Sequence, residues 1–79
     1  MTLTDAQARI LRAMLEGARL YGRIDNPRFA LIWGSRPDEH VAQADVLALF
    51  RADYITPYFP WPDLTPAGAE ALAQWEAGR

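Results

Sequence analysis

Side chains able to do chemistry on a substrate are few in this chain. Its 79 residues include one histidine, His40, one serine, Ser35, and no cysteine. Histidine works as a general acid or base when a partner within hydrogen-bond reach tunes it, and Asp38 is the nearest candidate in sequence. Ser35 and His40 flank a turn, with nothing in the spacing to align one on the other. His40 reads as a solvated residue at the start of a helix. One histidine without cysteine leaves no zinc-binding spacing, and Asp38-Glu39, the only adjacent carboxylate pair, suits the positive end of a helix dipole. No glycine-rich phosphate loop is present. The expectation is a protein without catalytic residues, metal, cofactor or small-molecule substrate.

Recognition chemistry is better supplied, in two places. Between positions 54 and 63 stand four aromatic residues and three prolines, with Tyr58, Phe59 and Trp61 as the candidate partner-binding rings. Aromatic side chains dominate interface hot spots, and a loop stiffened by proline loses less entropy on binding. The plainer reading folds Phe59 and Trp61 back as a lid over a thin core. The second place is Arg19, Tyr21 and Arg23, which alternate along one face of an expected strand and could stack bases and neutralise a backbone. With Arg28, Arg36 and Arg51 they form the candidate nucleic-acid contacts, against a plainer reading as solvated surface arginines.

Helices and strands must position these groups. Thr4-Asp5-Ala6-Gln7 is a capping box, and Ile10, Leu11, Met14 and Leu15 follow at helical spacing. Gly17 suits the position just past the end, so a helix is predicted over about 5–16. Leu20, Gly22 and Ile24 then alternate with Arg19, Tyr21 and Arg23, predicting a half-buried strand. Asp25-Asn26-Pro27 is turn chemistry. Phe29 to Trp33 reads as the hairpin partner, apolar on both faces, so one face is either covered or left for a partner. A second helix is predicted from Arg36-Pro37 or Asp38, with Ala42, Val46, Leu49 and Phe50 on one stripe and Ala44, Ala48 and Ala52 on a smooth opposite side. Tyr54 to Thr56 is a short third strand. Leu64-Thr65-Pro66 opens a third helix, with Thr65 as N-cap and Pro66 at its first position. The predicted order is α-β-β-α-β-α: an α+β single domain with a small antiparallel sheet packed by three helices.

Composition bounds the rest. A chain this short buries only about 60–65% of the surface it exposes when unfolded. All eight basic residues are arginine, and the formal charge is −2. A net acidic chain is handicapped in holding nucleic-acid phosphates. No apolar run reaches transmembrane length, and the N-terminal residues lack signal-peptide character, so a cytoplasmic protein without membrane contact is expected.

From Val41 to Leu72 the chain resembles the second half of a winged helix-turn-helix domain. The likeness lies in a helix with Val46, Leu49 and Phe50, the turn Ala52-Asp53-Tyr54-Ile55, a wing-like stretch, and Leu64-Thr65-Pro66-Ala67-Gly68. It implies a winged-helix-like architecture and a DNA-binding regulator that could act as a homodimer. The first half departs from the family, with a hairpin in place of a helix. The face matching the recognition helix offers Ala44, Asp45 and Ala48, flanked by Gln43 and Arg51, with little to donate to base edges. The reading is therefore a binding module for a protein or nucleoprotein, with the DNA-binding regulator as alternative. Size and character also suit a phage or mobile-element inhibitor of host machinery, such as an anti-CRISPR protein.

Overall fold

The computed structural model describes residues 2–23 and 25–78. Its elements are α1 (Asp5–Leu15), β1 (Arg19–Tyr21), β2 (Phe29–Ile32), β3 (Glu39–Val41), α2 (Gln43–Arg51) and α3 (Pro66–Ala77). This is an α+β domain of three helices and a three-stranded antiparallel sheet in the order β1-β2-β3. The expected succession survives with one addition. After α2, Ile55 pairs with Leu64 as an isolated antiparallel bridge where a third strand was expected, and β3 stands ahead of α2.

The predicted start of the second helix at Arg36 or Asp38 is corrected. Residues 39–41 pair with β2, and α2 begins only at Gln43, behind an Ala42 N-cap whose side chain makes no capping bond. Pairing wins here because it places Val41 opposite Phe29 and Glu39 opposite Leu31, beside the core. Glu39 also receives both Nε and Nη2 of Arg9 on α1, at 3.2 and 2.7 Å. Local helix signals yield to such long-range contacts because intrinsic propensity differs by less than about 1 kcal/mol per residue. His40 therefore lies exposed on an edge strand, not in a helical turn.

α1 forms as its sequence predicts. The Thr4 hydroxyl accepts from the Gln7 N–H, and the Gln7 carboxamide accepts from the Thr4 N–H, both at 3.1 Å. At its end the Ala18 N–H reaches the Ala13 carbonyl at 2.9 Å, with Gly17 at φ +112°, the reversal that favours glycine. The buried face, Ile10, Leu11 and Ala13, packs on Leu20, Phe29 and Leu31 from the sheet's inner side. α2 and α3 pack against α1 and add Val46, Leu49 and Leu72 to that core. Each fully buried side chain of this size contributes roughly 1.5–3 kcal/mol.

The turn into α3 is welded to the end of α2. The Thr65 hydroxyl donates to the Asp53 carbonyl at 2.6 Å and accepts from the Gly68 N–H at 3.0 Å. A Cβ on Gly68 would sit 2.3 Å from the Tyr54 carbonyl oxygen, so only glycine allows this approach. Arg12 grips Glu76 with both Nε and Nη2, closing α3 onto α1.

Candidate functional site

The predicted strand over Arg19 to Ile24 ends early. β1 stops at Tyr21, and Ile24 lies outside the described residues. β1 pairs Arg19 with Ile32 and Tyr21 with Ala30, and β2 pairs Ala30 with His40. Strand alternation puts these residues on one face of the sheet, opposite α1. Arg19, Tyr21 and His40 are exposed there, and Ala30 and Ile32 half-buried. β2, apolar on both faces, has thus buried Phe29 and Leu31 against the helices and left Ala30 and Ile32 on the outer face.

The aromatic loop comes to the same place. At its neck the Thr56 N–H donates to the Asp63 carbonyl at 2.8 Å, and the Asp63 N–H donates to the Thr56 hydroxyl at 2.9 Å. Its far side is tied to β1 by the Gly22 N–H, which donates to the Pro60 carbonyl at 3.0 Å. The peptide bond between Phe59 and Pro60 is cis. Neighbouring rings of the loop face opposite ways. Phe59 turns inward, edge-on to Phe29 and Phe50 at centroid distances of 6.1 and 5.7 Å. Pro62 is buried. Tyr58 remains 71% exposed and Trp61 39%.

Trp61 does not point away into solvent. Its ring meets Tyr21 at 4.7 Å with planes tilted by 57°, and the Arg19 guanidinium carbon lies 4.8 Å from the indole centroid. Two groups that looked independent in the sequence, the basic–aromatic strand and the aromatic loop, therefore form one surface. Beside it, Arg23, Asp25, Phe59 and Pro60 line an open depression of about 260 Å³.

The candidate residues divide as follows. Arg19, Tyr21 and Trp61 meet on this side, and Tyr58 is exposed in the same loop as Trp61. Phe59 supports them from within, as a core ring more than a contact. Arg23 stands at the rim, 3.8 Å from the Asp25 carboxylate. Arg28 is exposed at the end of the hairpin turn, where its N–H donates to the Asn26 side chain at 3.1 Å. Arg36 covers the Trp33 ring, 3.8 Å from its centroid. Trp33 Nε1 is buried without an acceptor in hydrogen-bond geometry; the nearby Glu39 carboxylate is engaged by Arg9, which holds that carboxyl below its ordinary range. Arg51 is exposed on the last turn of α2. Ile32 and His40 belong to the surface and were not among the binding candidates read from the sequence. His40 could be placed only once β3 was known, whereas the two-faced apolar pattern of β2 already pointed to Ile32.

Among the described residues no three or more histidines, cysteines or carboxylates gather as a metal site, and no helix is long and apolar enough to cross a membrane. No family model, curated protein or solved structure matches the chain.

Proposed function

We propose that this chain is a non-enzymatic binding module that recognises a protein surface through its 56–63 loop and the outer face of β1. The observation that carries the reading is the contact of Trp61 with Tyr21 and Arg19, with Tyr58 exposed in the same loop. Tryptophan, tyrosine and arginine are the residue types in which interface binding energy concentrates. Anchoring by Phe59 and Pro62 sets the rings in place before any partner arrives, which lowers the entropy lost on binding. The molecule measures 32 × 27 × 19 Å, wide enough on its broad sides for the roughly 800 Å² per partner of a stable complex. A narrower form of this reading, supported by size alone, is an inhibitor that occludes a surface of a larger nucleoprotein.

The same cluster supports one alternative, a nucleic-acid-binding regulator of winged-helix type, because a guanidinium over an indole beside a tyrosine can stack bases. Charge weighs against it. The net charge is −2, and Arg9, Arg12 and Arg23 are already paired with carboxylates.

Affinity capture separates these readings when run with wild type, Tyr58→Ala and Gln74→Ala, the last on the exposed side of α3. A protein held by wild type and Gln74→Ala but lost from Tyr58→Ala, at unchanged melting temperature, is the expected result. Equal capture by Tyr58→Ala refutes it. Binding to random duplex DNA that weakens steeply with salt would favour the alternative.

A further inference from the structure

We propose that Arg19 is the receptor for a carboxylate, so that the partner protein presents an Asp or Glu at the centre of the contact with an apolar side chain beside it. This inference rests on the protein-recognition reading and adds the chemistry of the partner.

Of the seven described arginines, three face carboxylates and two lie over tryptophan rings, while Arg28 and Arg51 are exposed with neither contact. Arg9, Arg12 and Arg23 each face a carboxylate within the chain. Arg36 lies over Trp33, close enough to Glu39 to help lower that carboxyl. Arg19 also lies over an indole, but no carboxylate among the described residues is within ion-pair distance of it. Stacking satisfies the face of a guanidinium and leaves its N–H edge free. That edge is a fork matched to both oxygens of a carboxylate, and the ring beneath holds it in orientation before binding.

The neighbouring depression supplies the second element. Phe59 and Pro60 give it apolar walls, while Arg23 and Asp25 at its rim offset each other in charge. Its 260 Å³ or so has room for one medium-sized apolar side chain. Pro60 and Trp61 are consecutive, so the two seats adjoin, and a short partner segment can fill both. A nucleic acid fits less well: it brings a run of phosphates, and the ring cluster offers one guanidinium without a carboxylate partner on a chain of net charge −2.

The test pans a random-peptide library against the intact chain, then measures the selected peptide, and its Glu→Gln or Asp→Asn form, against wild type and Arg19→Met. Methionine keeps an apolar stem over Trp61 without the fork. The expected result is enrichment of an acidic residue next to an apolar one. Arg19→Met then weakens the acidic peptide about tenfold or more while leaving its amide form unchanged, and Arg19→Lys recovers part of the loss. Selected peptides that lack an acid, or whose acid is indifferent to Arg19→Met, overturn the inference; if they are still lost with Tyr58→Ala, the protein-recognition reading stands. Wild type that enriches no peptide overturns both, and binding of oligothymidylate in its place would assign the platform to single-stranded nucleic acid.

Discussion

Replacing Phe59 and Tyr58 by alanine, one at a time, tests the inside–outside division on which the site depends. Truncating a fully buried phenylalanine costs about 3–5 kcal/mol. Phe59 is half-buried, but it makes edge-on contacts with Phe29 and Phe50, each worth about 0.5–1.5 kcal/mol beyond area. Together these place Phe59→Ala at about 2–3 kcal/mol. That is a large share of the roughly 4–12 kcal/mol expected for a chain of this length. At about 4–8 °C per kcal/mol, the melting temperature falls by about 8–24 °C. Tyr58 is 71% exposed and has no ring contact among the described residues, so Tyr58→Ala stays within about 0.5 kcal/mol. Trp61→Ala lies between, at about 1 kcal/mol, from its contacts with Tyr21 and Arg19. Far-UV circular dichroism melts, checked by urea midpoints, give the comparison. Equal losses for Tyr58→Ala and Phe59→Ala would refute the arrangement, and so would a Phe59→Ala protein that melts with wild type.

Three further outcomes follow from the frame. Gly68→Ala should destabilise by about 1–3 kcal/mol in urea, because backbone must move to admit the Cβ; a gain, as helix propensity alone would give, would contradict the approach to Tyr54. Asp53 follows the α2 C-cap at φ +61°, so Asp53→Gly should stabilise by about 0.5–1 kcal/mol, and a loss would show the side chain has a stronger role. Glu39 and Glu76 are lowered by hydrogen bonds from Arg9 and Arg12, against an ordinary value of 4.5. The unfolded chain then binds more protons in acid, so this stabilisation is present above pH 4.5 and lost as pH falls through the lowered folded values. Melting temperature should decline below that pH, less steeply in Glu39→Gln, and both exposed pairs should weaken with salt; a melting temperature flat with pH would remove them from the account.

Local chemistry was readable in the sequence wherever a few neighbours settle the matter. The Thr4–Gln7 box, the Gly17 reversal, the Asn26 turn and the Thr65-Pro66 helix start each close within a few residues and appear as expected. β3 was not readable. Pro37 and Asp38 carry helix-start signals, and what overrides them is pairing with β2 and the reach of Arg9 from α1. The core function of Gly68 was likewise hidden, since its neighbour in space is Tyr54. At the site, the residue types were visible but their grouping was not. Nothing near Trp61 in the chain says that it will lie against Tyr21 and Arg19, and nothing in Tyr58-Phe59 says which ring turns inward.

The inward turn of Phe59 has a consequence for motion. A surface loop ordinarily opens by itself, and its amide protons exchange at rates unrelated to the rest of the fold. Here the middle of the loop carries a half-buried ring packed against the core, its neck is hydrogen-bonded at Thr56 and Asp63, and its far side is held by Gly22. Lifting the rings off the surface means drawing Phe59 away from Phe29 and Phe50. The amides of Gly22 and Thr56 should therefore exchange in step with those of β2, as one cooperative unit. A partner bound at Tyr58 and Trp61 would then slow exchange in the core beneath it as well as in the loop.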